Sequence, residues 1–191
     1  MTGDAAVKRS ALEGSALPAG VREMPFLGQV TLRADPSDVE LMTRVASSVG
    51  FELPTTPNTV SGDLERHALW LGPDEWLIVG PPGSENSIED GCRDALGLAT
   101  GAVVDVSANR TVLELRGPGA REVLEAGCTM DLHPRAFHAT CCAQTLVART
   151  GVIIHQVTDE PVYRLFVRPS FAQYLTTWLL DASGPRLGRS L

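Results

Sequence analysis

The sequence has no apolar run approaching the roughly eighteen residues of a membrane-spanning helix, so no transmembrane helix is expected. Lys8 and Arg9 are not followed by the apolar stretch of a secretory leader, and the cytosol is the expected compartment. Basic residues are in deficit. With 16 Lys and Arg against 23 Asp and Glu, the net charge is −7 and the pI near 5.1, which disfavours nucleic acid or an anionic membrane as partner. Cysteine is scarce. The 4 cysteines, Cys92, Cys128, Cys141 and Cys142, form no C-x-x-C pair, so neither a disulfide framework nor a zinc ribbon is indicated. His133, His138, Cys141 and Cys142 lie close together and are chemically able to bind zinc, but their spacing matches no usual ligand pattern. They read as loop and half-buried residues.

Catalytic signatures are missing too. Ser107, His67 and Asp105 are the residue types of a nucleophile set, yet no G-x-S-x-G elbow is present, and Ser107 reads as a turn residue ending a strand. Gly117-Pro118-Gly119 lacks both the P-loop lysine and the dinucleotide G-x-G-x-x-G pattern. Asp159-Glu160 falls at a turn, where paired carboxylates face water. No catalytic, cofactor-binding or metal-binding residue is therefore assigned.

What is present is a sizeable globular core. The 191 residues suit one large domain or two small intimate ones, and 43% hydrophobic with 20% charged residues is ordinary for a soluble protein. Val30 and Leu32 alternate with Thr31 and Arg33 as a strand, and Asp35-Pro36 then reads as a helix start. Val39, Met42, Val45, Ala46 and Val49 follow at helical spacing, and Gly50 stops them. Ala68–Leu71 and Trp76–Val79 form a hairpin around Gly72-Pro73-Asp74-Glu75. Ser87 with Asp90 resembles a capping box opening a second helix with Ile88, Cys92, Ala95 and Leu96 on its apolar face.

Val103–Val106 and Thr111–Arg116 read as strands, with Leu113 and Leu115 on one face and Glu114 and Arg116 on the other. A helix follows, with Pro118 in its first turn and Gly127 as its terminating glycine. A fourth helix after Ser170 carries the stripe Phe171, Tyr174, Leu175, Trp178 and Leu179, read as packing on a sheet.

The second half repeats the first. Arg33 and Arg116, Asp74 and Asp159, and Pro81 and Pro169 occupy matching places, 83, 85 and 88 residues apart. Each half is β-α-β-β-α with a further strand to close it. The expected fold class is α+β, two pseudo-symmetric ferredoxin-like units fused into one body. The units span roughly residues 26–100 and 101–182. Residues 1–25 and 183–191 lack periodicity and are expected to be tails, or arms laid on a partner, with the core complete without them.

Asp105-Val106-Ser107, Leu115-Arg116-Gly117-Pro118 and Thr129-Met130-Asp131 resemble the folate-binding domain of the glycine-cleavage aminomethyltransferase (T-protein) superfamily. Within it, Leu69–Gly80, Val103–Pro134, Cys142–Val157 and Tyr163–Ala182 resemble the gamma subunit family of heterotetrameric sarcosine oxidase, over about residues 26–182. The resemblance implies a folate-binding-domain-like body. It also implies a complex that demethylates sarcosine oxidatively to glycine, with hydrogen peroxide and 5,10-methylenetetrahydrofolate as products. FAD, FMN and NAD would sit on the alpha and beta subunits, tetrahydrofolate on alpha and zinc on delta.

The aminomethyltransferases place a folate-holding carboxylate in a segment matching Thr150–Gln156, where this chain has Ile154 and His155. An isoleucine carries no charge and a histidine carries the opposite sign, so the gamma-like chain is expected to be non-catalytic. The alternatives are an active aminomethyltransferase-like enzyme, or a stand-alone folate-binding protein of the iron–sulfur-assembly type. The latter carries a K-G-C-Y-x-G-Q motif absent from this sequence.

Overall fold

In the segment 76–79, Trp76 and Ile78 project to one side and Leu77 and Val79 to the other, and all four are buried. A strand buried on both faces needs a layer on each side. The computed structural model, which describes residues 8–184, supplies both layers. In chain order the elements are β1 (Val21–Met24), β2 (Leu27–Ala34), α1 (Val39–Val49), β3 (Val60–Gly62), β4 (His67–Gly72), β5 (Glu75–Pro82) and α2 (Glu85–Leu96). They continue with β6 (Gly101–Asp105), β7 (Thr111–Arg116), α3 (Ala120–Glu125), β8 (Cys142–Val147), β9 (Thr150–Thr158), β10 (Val162–Val167) and α4 (Pro169–Ser183).

Two antiparallel five-stranded sheets result, in the orders β3-β4-β5-β2-β6 and β1-β7-β10-β9-β8. Leu41, Val45, Ile88 and Cys92 of α1 and α2 pack on Val30, Leu32, Trp76 and Ile78 of the first sheet. Val123, Leu124, Leu175 and Leu179 of α3 and α4 pack on Leu113, Leu115, Tyr163 and Leu165 of the second. Between the sheets, Leu69, Leu77 and Val79 meet Val112, Ile153 and Phe166. The layers are helices, sheet, sheet, helices.

The pseudo-symmetry runs through this order. Read as β6-β2-β5-β4-β3, the first sheet matches β1-β7-β10-β9-β8 strand for strand. The closing strand of the second unit is thus β1, from the start of the chain, while β6 closes the first. Residues 21–24, expected within a tail, are an integral edge strand, with Val21 opposite Leu115 and Met24 opposite Val112. The segment before it is packed as well: Leu12 is 4% exposed in the core under α4, and Ser15 donates to Gln173. Short polar sequence concealed this, because one leucine and one four-residue strand make no periodic signal. Residues 1–7 and 185–191, the remainder of the expected tails, lie outside the described residues.

Helix starts also differ from expectation. Asp38 caps α1 by accepting from Leu41 N at 2.9 Å, while Asp35 closes a turn with Ser37. Ser84 precedes α2 three residues before Ser87, and α3 begins at Ala120, after Pro118. Gly50 does end α1 at φ 95°, in the left-handed region that favours glycine. Gly127 does follow the C-cap Ala126, in the expected C′ place, but without a positive φ, and it lies under the Trp178 indole. On α4 the buried positions are Ala172, Leu175, Thr176, Leu179 and Ser183, whereas Phe171 and Tyr174 of the expected stripe face outward.

Candidate functional site

The inner face of the second sheet carries one transverse polar row. Strand register places Arg22 of β1 opposite Glu114 of β7, Glu114 opposite Arg164 of β10, and Arg164 opposite His155 of β9. Glu114 is buried, and its Oε1 accepts from Arg22 Nε at 2.8 Å and from Arg116 Nε, while Oε2 accepts from Arg164 Nε at 3.3 Å. Burial pushes its carboxyl pKa up, but the hydrogen bonds from Arg22 and Arg116 and the other cationic contacts prevail, leaving it below the usual value.

At the far end of the row His155 meets His67 of β4 from the opposite sheet. The ring centroids are 5.2 Å apart and the planes tilted by 46°. Among the described residues, neither nitrogen of His67, nor Nδ1 of His155, has a hydrogen-bond partner. Burial first, then the Arg164 charge, hold His67 down to about 4, with the Asp63 backbone opposing weakly. Burial, then His67 and Arg164, push His155 well below its ordinary value. Both rings are neutral near neutral pH.

The turn after β3 covers this region. Gly62 adopts φ 103°, and Asp63 Oδ1 accepts from Glu65 N and Arg66 N at 2.8 Å, which presents Leu64 outward. Beneath Leu64 two cavities meet at Arg164. One of about 220 Å³ is walled by Met24, Leu27, Leu64, Val79 and His67. The other, of about 490 Å³, opens past Glu114, Arg116, Asp159 and Glu160.

The residues considered from sequence separate in space. Ser107 and Asp105 do meet, Ser107 Oγ donating to Asp105 Oδ1 at 2.6 Å, but this is a turn that also binds Gln29 N, and His67 is stacked on His155. Cys142 lies buried between the sheets with Sγ against Thr59 O and Trp70 O, and burial pushes its thiol up to about 12. His138 Nδ1 approaches Cys141 Sγ at 3.7 Å. Among the described residues, no group of three or more His, Cys, Asp or Glu is arranged to hold a metal. Ile154 turns into the helix-side core, and His155 turns to the opposite face of β9, where it stacks on His67.

A model of the sarcosine oxidase gamma subunit family matches residues 33–185. The chain belongs to the sarcosine oxidase gamma subunit family. It is 42% identical over 163 residues to the sarcosine oxidase subunit gamma of Corynebacterium sp. (strain P-1), covering 85% of this chain and 78% of the relative. Identity to the same subunit of Arthrobacter sp. is 41% over 172 residues, covering 89% and 83%. Among solved structures, heterotetrameric sarcosine oxidase from Corynebacterium sp. U-96, in complex with pyrrole 2-carboxylate, has a chain matching at TM-score 0.83 and 33% identity. The match covers 96% of this chain and 98% of that one. The glycine cleavage system aminomethyltransferase T from Bartonella henselae matches at TM-score 0.64 and 14% identity over 91% of this chain and 48% of that one. That likeness shows the shared fold.

The gamma-family chain shares the aminomethyltransferase fold, and its β9, Thr150–Thr158, carries no carboxylate. At the two positions where a carboxylate is expected from the resemblance, Ile154 is an aliphatic side chain in the helix-side core and His155 is a buried neutral imidazole stacked on His67, so neither can accept as a carboxylate does.

Proposed function

We propose that the chain is the non-catalytic gamma subunit of a heterotetrameric sarcosine oxidase. The complex would oxidise sarcosine with dioxygen to glycine and hydrogen peroxide, passing the one-carbon unit to tetrahydrofolate as 5,10-methylenetetrahydrofolate. In this reading FAD, FMN and NAD reside on the alpha and beta subunits, tetrahydrofolate on alpha and zinc on delta, and catalysis takes place in the cytosol outside the gamma chain. The observation that carries the reading is the near-complete correspondence of this fold to one chain of the oxidase.

Surface chemistry supports assembly. Phe171 is 47% exposed and Tyr174 41% on one flank of α4, with Leu180 50% exposed on the other, apolar side chains open to subunit contact. Among the described residues no helix is long and apolar enough to cross a membrane.

Purification of the native protein through a tag on this chain tests the proposal. Stoichiometric co-elution of yellow flavoprotein chains with sarcosine-dependent peroxide production is the expected result. A chain that elutes free of flavoproteins, or that transfers one-carbon units to tetrahydrofolate alone, overturns it.

A further inference from the structure

Arg164 is the buried group whose surroundings the fold leaves incomplete. Its side chain is 8% exposed, and among the described residues its only hydrogen bond is the 3.3 Å contact from Nε to Glu114. A guanidinium carries five N–H donors, and Arg164 lines both adjoining cavities, where the donors not taken by Glu114 are open to a ligand. Glu114 has little more to offer, since its other oxygen already accepts from Arg22 and Arg116. Three guanidiniums around one carboxylate leave the cluster with excess positive charge.

The two cavities beside Arg164 differ in character. The larger has Asp159 and Glu160 at its rim, which repel an anion. The smaller, of about 220 Å³, is walled mainly by apolar side chains, with exposed Glu65 at its edge. His67 contributes a ring there that has no hydrogen-bond partner among the described residues.

We propose that the cavity beneath Leu64 is a binding site for a carboxylate borne on a small apolar body. Arg164 receives the carboxylate and the apolar wall receives the body. A planar two-oxygen anion matches the guanidinium fork, forms strong charge-assisted bonds there and offsets the local positive excess. The carboxylate has two sources: a free organic acid, or a carboxylate of a neighbouring subunit inserted into the cavity. The site itself goes beyond the gamma-subunit reading; only the choice between the two sources rests on it.

Benzoate is the probe and benzamide its neutral counterpart, each titrated against the full chain while thermal unfolding is followed. Benzoate is expected to raise the unfolding midpoint saturably, because a ligand of the folded state stabilises it by mass action, and benzamide to have no effect. Arg164→Met removes the donor and is expected to weaken benzoate by at least about tenfold. Because that variant also disturbs Glu114, Leu64→Trp is the second. Leu64 is 62% exposed at the cavity mouth, so the indole blocks entry without touching the core, and the same loss is expected. Benzoate that binds the free chain but not the assembled oxidase identifies a subunit carboxylate as the natural occupant. Binding to both identifies a free acid. Absence of a saturable benzoate effect, an equal effect of benzamide, or a benzoate affinity unchanged by Leu64→Trp overturns the proposal.

Discussion

The indole of Trp178 on α4 lies so close over Gly127 that a Cβ built on residue 127 would sit 2.4 Å from Cζ2 and 2.7 Å from Cη2. The bare glycine backbone is what lets the loop after α3 pass beneath α4, and Gly127 O accepts from Ala148 N at 2.8 Å in the same place. Gly127→Ala is expected to destabilise the chain by about 1–3 kcal/mol through overpacking. Urea unfolding measures it. Trp178→Leu should relieve the clash, so the double variant is less damaged than the two separate losses added together. Additive losses would mean that the contact does not constrain residue 127.

Glu114 is the single carboxylate shared by Arg22, Arg116 and buried Arg164. Glu114→Ala leaves Arg164 without a counter-charge between two sheets, and a loss of about 3 kcal/mol or more is expected. Arg22 and Arg116 have side chains 56% and 55% exposed, and replacing either by alanine is expected to cost under about 1 kcal/mol. Denaturant midpoints of the three variants decide the ranking. Equal losses would show that burial does not set the energy of this cluster.

The histidine pair gives an acid response with a defined direction. The ordinary histidine value is 6.5, and burial holds His67 down to about 4 in the folded chain, with His155 shifted the same way. Above pH 6.5 both states are neutral and the pair contributes nothing to pH dependence. As pH falls from 6.5 towards 4, the unfolded chain takes up protons that the folded chain refuses. Stability is therefore lost across that window, by about 1.4 kcal/mol per pH unit per fully shifted histidine. The depressed carboxyl of Glu114 acts lower: its contribution is present above its ordinary value of 4.5 and is lost as pH falls through its folded value. Urea midpoints measured across this range should fall in wild type and flatten between the two histidine values in the His67→Gln, His155→Gln double variant. An unchanged slope in that variant would assign the acid response to other groups.

The repeat was legible in the sequence because Arg33, Asp74 and Pro81 recur at nearly constant spacing as Arg116, Asp159 and Pro169. The hairpin around Asp74 and the stop at Gly50 were legible from turn chemistry. The polar row was not. Alternation shows that Leu113 and Leu115 share a face opposite Glu114, but it does not show that the second face meets another sheet rather than water. The available signal was a charged residue within an apolar strand in both Leu113–Leu115 and Tyr163–Val167. Pairing of His67 with His155, 88 residues apart in the chain, depends on how two sheets stack, which no local pattern encodes. Helix starts were displaced for a simpler reason. Asp35 and Asp38 are equally good caps by composition, and the backbone selects Asp38.

Residues 10–24 set the last expectation, which concerns the stability of the second unit itself. Leu12 is 4% exposed in the core that also holds Leu175 and Leu179, and Leu17 packs against the same cluster. Ser15 Oγ reaches Gln173 at 2.9 Å, while Glu23 accepts from Thr111 Oγ1 at 2.6 Å. Burying one leucine stabilises by about 1.5–3 kcal/mol, and its loss from a packed core costs about 2–5 kcal/mol. Deleting residues 1–20 removes Leu12 and Leu17 together and uncovers apolar surface beneath α4. The truncated chain is expected to unfold at clearly lower urea than the full chain. Leu12→Ala alone should reproduce a large part of the shift, whereas Val39→Ala, at a 74% exposed position, should leave it almost unchanged. Weaker subunit assembly after the deletion would then reflect a destabilised fold as well as any lost contact. A truncated chain that unfolds with the full chain's midpoint would show that the segment is dispensable to the core and would restore the reading of it as an arm.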